Sequence, residues 1–222
     1  YRENDPMGGY DPYSSSKGCA DILASSYRNS YFNTKDYKIK HNTLLATCRA
    51  GNVIGGADWA KDRLITDIML SVSQGKKVSI RNPKATRPWQ HVLEPLSGYL
   101  QIGQKLLEEK LEFSDAWNFG PSDEGSICVE EVVKNVKKHW DKIDYEINSD
   151  LNQLHEANLL KLDCSKAHIL LKWRDVWNSQ TTFEKTVNWY KSYYEENKNI
   201  LTSQDLDSYV YDAKEKNLEW TK

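Results

Sequence analysis

Apolar residues recur at helical and at strand spacing in alternation along the chain. Steps of three and four residues between apolar side chains predict helices over 13–32, 62–74, 91–109, 129–140, 165–171 and 181–195. Short β-rich runs predict strands over 43–49, 78–81, 116–119 and 145–147, with a further extended piece at 160–162. The residues from about 200 onward are weakly patterned, so we expect a tail that is mobile or depends on a partner.

This alternation predicts an α/β fold with a parallel sheet. In such folds ligands bind beyond the carboxyl ends of the strands. Two turns lie at such ends, the glycine-rich segment 50–56 and the segment 118–121. They are the first candidates for contact with a ligand.

The composition indicates a folded protein that does not bind nucleic acid. The 222 residues are 39% apolar and 28% charged, and eight Trp and thirteen Tyr argue against disorder. The net charge of −2 leaves no positive excess for phosphate-backbone binding. The densest basic group, Lys134, Lys137 and Lys138, fits the solvated face of a helix.

The cysteines and the hydropathy pattern point to the cytoplasm. Cys19, Cys48, Cys128 and Cys164 lie far apart in sequence, so they form no metal or redox motif and are expected to be free thiols. The chain contains no apolar run of about 18 residues and no signal peptide, so we expect no membrane partner. Because it begins with Tyr1 rather than Met, we expect a fragment of a longer protein.

The candidate chemistry centres on Tyr13 and Lys17. Three serines after Tyr13 favour a helix start near Pro12, since Ser satisfies free N–H groups of the first turn. Residues four apart on a helix project from one face. An ammonium group near a phenol favours the phenolate, which can then take a proton from a sugar hydroxyl. The same spacing also occurs in helices that have no catalytic role.

The surrounding sequence resembles a known family. The Tyr motif and the strand end Arg49-Ala50-Gly51-Asn52-Val53-Ile54-Gly55 resemble the extended short-chain dehydrogenase/reductases. Five strings between residues 8 and 167 closely resemble the CDP-glucose 4,6-dehydratases: GGYDPYSSSKGCA, RAGNVIGGADWA, RPWQHVLEPLSGYL, AWNFGP and LKLDCSKA. The resemblance implies a partial Rossmann-type parallel sheet with a smaller C-terminal α/β substrate-binding domain.

The resemblance also implies a reaction of deoxysugar biosynthesis. Tightly held NAD would oxidise CDP-glucose at C4, with Tyr13 as the base and Lys17 supporting it and holding the nicotinamide ribose. Loss of water across C5 and C6 and return of hydride to C6 would give CDP-4-keto-6-deoxyglucose. The GxxGxxG phosphate loop and the acid/base residues for water loss lie upstream in the family. We therefore expect this fragment to be inactive by itself.

Further site residues follow from the resemblance. Asn52 matches a position that contacts the substrate diphosphate, Arg87 matches an arginine that holds it, and Arg63 is a second candidate phosphate ligand. Each also has an ordinary interpretation, as a loop cap or a solvated arginine. No pairing of histidines suggests a metal site.

Other candidates depend more on position. His91, predicted at a helix start, is expected either to contact substrate or to be structural. His155 and Glu156 lie where the family places residues near the nucleotide. The isolated carboxylates are assigned capping or surface roles: Asp58, Glu94 and Asp163.

The same resemblance divides the chain and suggests an assembly. Residues 1–53 and 88–119 would be the C-terminal part of the NAD-binding Rossmann domain, and 54–87 and 120–222 the sugar-nucleotide-binding domain. Family members pair through helices that include the Tyr-motif helix, so we expect a homodimer or a homotetramer.

Two alternatives remain open at this point. The Tyr and Lys pair cannot separate the CDP-type reaction from a dehydratase or epimerase acting on dTDP- or GDP-sugars. The chain could also be a non-catalytic module that binds a sugar nucleotide. A continuous upstream reading frame with a glycine-rich strand–turn–helix would favour the enzyme.

Overall fold

Six α-helices and seven β-strands occur in residues 1–80, 82–121, 126–148 and 161–222, which are described by the computed structural model. The helices are α1 (Pro12–Ser30), α2 (Leu64–Ser73), α3 (Leu93–Leu107), α4 (Val129–His139), α5 (Ser179–Glu195) and α6 (Thr202–Glu215). The strands are β1 (Thr47–Ala50), β2 (Asn52–Ile54), β3 (Val78–Ile80), β4 (Thr86–His91), β5 (Ala116–Phe119), β6 (Ser126–Cys128) and β7 (Tyr145–Ile147).

The chain forms two compact units, each from three segments. Unit 1 consists of Tyr1–Ala50, Leu96–Phe119 and Leu162–Trp173. Unit 2 consists of Gly51–Pro95, Gly120–Lys161 and Arg174–Lys222. Unit 1 therefore contains α1, β1 and β5, and unit 2 contains the other strands together with α2, α4, α5 and α6.

Helix α1 begins at Pro12 because Asp11 caps it. The Asp11 carboxylate accepts hydrogen bonds from the backbone N–H groups of Tyr13 (2.9 Å) and Ser14 (3.0 Å). The Ser14 hydroxyl accepts in return from the Asp11 N–H at 3.2 Å, which completes a capping box. The predicted start near Pro12 is confirmed, but the carboxylate of Asp11 is the capping acceptor in place of a serine.

Unit 1 is built on the parallel strands β1 and β5, with Thr47 opposite Ala116. Strand β5 is buried along its whole length. Large aromatic side chains form the core on and beside it: Phe113, Trp117, Phe119 and Trp173. The Trp117 indole N–H donates to the Phe113 carbonyl and the Trp173 indole N–H to the Ser97 hydroxyl, each at 3.0 Å. These two buried indole N–H groups are thus satisfied.

Unit 2 contains two sheets. The first has the strand order β2-β4-β6, in which β4 runs parallel to β2 and antiparallel to β6. Strands β3 and β7 form a separate parallel pair. The predicted α/β class with parallel strands is therefore confirmed, with the antiparallel strand β6 as an addition.

Helices α2, α4 and α5 supply most of the core of unit 2. Each buries an apolar stripe, as the sequence periodicity predicts. The buried apolar side chains are Ile65, Ile68, Met69 and Val72 of α2, Val132, Val133 and Val136 of α4, and Phe183, Val187, Trp189 and Tyr190 of α5. Lys134, Lys137 and Lys138 are exposed on α4, which confirms the predicted solvated face.

The helix predicted over 91–109 was assigned too early a start. Strand β4 extends to His91, and α3 begins at Leu93. The Leu93 N–H donates to His91 Nδ1 at 3.3 Å. The imidazole at the end of β4 thus accepts a hydrogen bond from the first residue of α3. Pro88 lies in this strand. Because proline has no N–H to donate to a neighbouring strand, its presence in a sequence argues against a central strand.

The C-terminal residues form helix α6, so the prediction of a mobile tail was wrong, and dependence on a partner stays a prediction. The helix buries three side chains at four-residue spacing: Asp205, Tyr209 and Ala213. The Trp177 indole N–H donates to the Asp212 carboxylate at 2.7 Å. Lys216, next after the helix, donates to the Val176 carbonyl at 2.5 Å.

Within the described ranges, each helix is too short or too polar to cross a lipid bilayer. The four cysteines are free thiols. In the same ranges no group of three or more His, Cys, Asp or Glu side chains is arranged to hold a metal ion.

Candidate functional site

Tyr13 and Lys17 stand side by side on the first two turns of α1. The Lys17 ammonium lies 5.3 Å from the centroid of the Tyr13 ring. The Tyr13 side chain is 73% exposed, so its hydroxyl is accessible to a ligand. The structure thus brings together the two residues of the predicted catalytic pair.

The N-terminal segment is anchored to the strand ends of unit 1. The Asn118 N–H donates to the Glu3 carboxylate at 2.9 Å, and the Asn118 amide donates to the Tyr1 carbonyl at 3.1 Å. Arg49 donates to the Glu3 carbonyl at 3.2 Å and forms an ion pair with Asp21 of α1 at 2.8 Å. Both strand ends therefore fix the segment that leads into the Tyr13 helix.

A cavity of about 370 Å³ in unit 1 adjoins these anchors. Its lining includes acidic and basic side chains in equal number: Glu3, Asp21, Asp115, Arg28, Arg49 and Lys166. Arg28 and Lys166 both form ion pairs with Asp115. Because opposite charges neutralise one another here, the cavity has no excess positive charge that would attract a phosphate group.

In unit 2, Asn52, Arg87 and His91 share one face of the β2-β4 pair. Asn52 lies opposite Trp89, and the β4 residues two positions before and after Trp89 point to the same side of the sheet. Arg87 is largely buried, and its guanidinium donates to the Thr86 carbonyl at 2.9 Å. Three of the predicted substrate-binding residues therefore lie in one row.

His91 is buried at the end of this row. Its ring lies 4.8 Å from the Trp177 ring in an edge-to-face arrangement. Burial, with a smaller contribution from the nearby Lys185 ammonium, lowers the pKa of His91 to about 4. The imidazole is consequently neutral near pH 7, and it can exchange hydrogen bonds but cannot supply a countercharge to a phosphate.

Arg63 precedes α2 and forms an ion pair with Asp58 at 2.7 Å. Its side chain is 62% exposed. The Asp58 carboxylate also accepts from the Ala60 N–H at 2.9 Å. Asp58 therefore closes the turn before Arg63 and orients the guanidinium, which agrees with the capping role assigned to this carboxylate.

The loop that carries Asp58 is fixed to α5. The Tyr190 hydroxyl accepts from the Asp58 N–H at 2.9 Å and donates to the Asp58 carbonyl at 2.6 Å. Burial raises the pKa of Tyr190 to about 12, so its hydroxyl keeps the proton it donates. The Trp59 indole N–H donates to Tyr194 at 3.0 Å.

The same loop approaches α5 closely at Gly56. A Cβ at Gly56 would lie 2.1 Å from the Trp189 ring, so only glycine fits there.

Sequence reasoning missed the burial of Glu94. Its carboxylate accepts hydrogen bonds from the N–H groups of Val176 (2.9 Å) and Trp177 (2.8 Å) and from the Tyr209 hydroxyl (2.8 Å). Burial raises its pKa to about 7 despite these donors. The surface role predicted for Glu94 was therefore wrong. The sequence around Glu94 gives no sign of its burial, because its hydrogen-bond partners lie 80 positions or more away.

His155 and Glu156 lie outside the described residues.

Comparison with solved structures defines the class of fold. The chain is similar to a dTDP-glucose 4,6-dehydratase from Bacillus anthracis solved with NAD, with 22% identity, a TM-score of 0.67, and coverage of 88% of this chain and 57% of that chain. It is similar to a UDP-glucose 4-epimerase from Stenotrophomonas maltophila, at 15% identity, a TM-score of 0.68, and coverage of 88% and 59%. The predicted Rossmann-type class is thereby confirmed as the fold of nucleotide-sugar dehydratases and epimerases.

The sequence comparison is more specific. The chain is 50% identical over 212 residues to the CDP-glucose 4,6-dehydratase of Salmonella typhimurium, a match that covers 95% of this chain. The resemblance inferred from the sequence strings is thereby confirmed. The chain spans 58% of the length of that relative. No protein-family model matches the chain.

Proposed function

We propose that this chain is the part of a CDP-glucose 4,6-dehydratase that carries the Tyr and Lys pair and the substrate-binding strand. The observation that carries the proposal is the 50% identity to the Salmonella enzyme, together with an exposed Tyr13 beside Lys17. The proposed product is CDP-4-keto-6-deoxyglucose, formed with loss of one water.

Tyr13 is the proposed proton acceptor. Its phenolate oxygen would take the proton of the sugar 4-hydroxyl, and the Lys17 ammonium would stabilise the negative charge on that oxygen. Both groups are exposed on one helix, which fits their proposed second role of holding the nicotinamide ribose. Bound NAD would supply the hydride acceptor for C4 and the hydride donor for C6 of the sugar.

The diphosphate is assigned to unit 2. The planar Arg87 guanidinium suits bidentate pairing with phosphate oxygens, and the Asn52 amide offers a neutral donor on the same face. Arg63 is the second proposed phosphate ligand. His91 is proposed to contact substrate as a neutral group. His155 and Glu156 are proposed near the nucleotide on the resemblance alone.

We further propose that residues 1–53 and 88–119 belong to the NAD-binding domain and that 54–87 and 120–222 belong to the sugar-nucleotide-binding domain. Asn52 and His91 are the proposed exceptions, since each is assigned to the substrate. Residues of the longer protein would supply the phosphate loop and the groups for water loss. A homodimer or homotetramer in the cytoplasm is proposed. The apolar side chains exposed on α1, among them Ile22, Leu23 and Tyr27, support this assembly.

The test uses the full-length protein with CDP-glucose as substrate, and follows the absorbance of the 4-keto-6-deoxy product in alkali. Tyr13→Phe should lower kcat by about 10²- to 10⁴-fold, the usual contribution of a general base. Tyr10→Phe is the matched control, because Tyr10 is also exposed but has no Lys four residues later. Its rate should equal that of the wild type.

Other outcomes identify the alternatives. Activity on dTDP- or GDP-sugars without activity on CDP-glucose would retain the mechanism and change the substrate. A folded protein that is inactive on all three substrates would contradict the proposed enzyme and favour the non-catalytic module that binds a sugar nucleotide.

A further inference from the structure

Helix α6 contacts a buried carboxylate, that of Glu94 in the first turn of α3, three residues after the end of strand β4. Glu94 is only 1% exposed, and a buried carboxylate is costly unless hydrogen bonds satisfy it. One of its donors is the Tyr209 hydroxyl of α6, and two are consecutive N–H groups of the segment before α5. Glu94 therefore connects the start of α3, the segment 176–177 and α6 at one point.

A second connection runs through Trp177. Its indole N–H donates to the Asp212 carboxylate of α6 at 2.7 Å, and its ring lies 5.1 Å from the Tyr209 ring. The same indole ring lies 4.8 Å from the His91 imidazole at the end of β4. The Lys185 ammonium lies 5.2 Å from the ring centroid. Trp177 is thus held by α6 and contacts His91.

We propose that α6 positions the substrate-binding end of strand β4, with Tyr209 and Asp212 as the positioning residues. They act through Glu94 and Trp177 on His91, and neither touches the substrate. This inference rests on the proposed function, because it takes β4 as the strand that binds the sugar nucleotide. It assigns a role to the C-terminal residues, whose sequence pattern is weak.

The first experiment measures kcat and KM of the full-length protein for CDP-glucose. Tyr209→Phe keeps the aromatic ring and removes one hydrogen bond to Glu94. We expect KM to rise about three- to tenfold while kcat stays within about twofold, since ground-state positioning is lost and the reacting groups are untouched. Tyr211→Phe, on the same helix and 62% exposed, should match the wild type.

Asp212 supplies a second pair of variants. Asp212→Ala removes the acceptor of the Trp177 indole and should raise KM, whereas Asp212→Asn keeps an amide oxygen in that place and should restore it. A lower melting temperature without any change of KM in Tyr209→Phe and Asp212→Ala would overturn the inference. An equal rise of KM in Tyr211→Phe would also overturn it.

A second readout does not depend on activity. The chain has five histidines, and ¹³C-histidine NMR of the full-length protein would resolve His91, assigned with His91→Gln. The His91 signal should shift in Tyr209→Phe, because the Trp177 ring current changes with its position, and should not shift in Tyr211→Phe. An unmoved signal refutes the inference even if the protein does not convert CDP-glucose, whereas inactivity of the wild type on CDP-glucose refutes the proposed substrate.

Discussion

At the scale of single residues, two neighbouring buried groups have opposite pKa shifts. The pKa of His91 falls from 6.5 to about 4, chiefly by burial, and that of Glu94 rises from 4.5 to about 7, also chiefly by burial. Sequence analysis recognised His91 as a candidate and left its role open, but it could not find Glu94. Burial of these groups comes from α6 and from the segment before α5, which are distant in sequence.

These shifts predict opposite contributions to the pH dependence of stability. Folded His91 binds fewer protons than the unfolded chain between pH 4 and 6.5, so its contribution is present above 6.5 and is lost as pH falls towards 4. Folded Glu94 binds more protons between pH 4.5 and 7, so its contribution is present below 4.5 and is lost as pH rises through 7. Each amounts to at most about 3 kcal/mol.

Urea unfolding of the full-length protein at several pH values tests this prediction. The stability deficit of His91→Gln relative to wild type should shrink as pH falls from 6.5 to 4. That of Glu94→Gln should shrink as pH rises from 4.5 to 7. Deficits that stay constant with pH in both variants would contradict the assigned shifts.

At the scale of elements, sequence periodicity predicted the helices that bury a broad apolar stripe and missed other elements, among them α6, β4 and β6. Helix α6 buries only Asp205, Tyr209 and Ala213, a row too narrow and too polar to stand out. Strand β4 contains Pro88 and few β-branched residues, and β6 has three residues. Both strands exist because pairing within a sheet outweighs weak local preference.

The loop between β2 and α2 provides a prediction at this scale. Gly56→Ala should lower the free energy of unfolding by about 1 to 3 kcal/mol, because the new Cβ would overlap the Trp189 ring and force the loop or α5 to shift. Gly103→Ala on α3 is the control, since a Cβ there meets no atom within 4 Å. It should stabilise the protein by about 0.5 to 1 kcal/mol through helix propensity.

Thermal and urea unfolding of both variants would check the prediction. Equal stability of Gly56→Ala and wild type would show that the loop moves freely away from α5. In that case α5 would not hold Asp58 and Arg63 in fixed positions.

At the scale of the whole chain, unit 1 exposes one helix face and one strand edge within the described residues. Helix α1 buries none of its side chains, and β1 pairs with one strand, β5, in the described part of the chain. Exposed apolar side chains and an unpaired strand edge favour association. Sequence analysis identified the apolar face of α1, but periodicity alone could not distinguish burial inside the subunit from exposure.

We therefore predict that the 222-residue chain, expressed alone, self-associates with rising concentration. Light scattering after size-exclusion chromatography would measure its mass. Leu23→Glu should lower the associated fraction, because it places a charge on the exposed apolar face, whereas Ser26→Glu at an exposed polar position should have little effect. A monomeric wild-type chain at all concentrations would refute the prediction.

The interleaving of the two units has a consequence for biosynthesis. The chain passes from one unit to the other after residues 50, 95, 119, 161 and 173. Residues 51–173 take roughly 6 to 25 s to synthesise at about 5 to 20 residues per second, and until then the aromatic core of unit 1 lacks Trp173. Neither unit can be excised as one contiguous gene fragment, and on the ribosome unit 1 must wait for most of unit 2 to emerge.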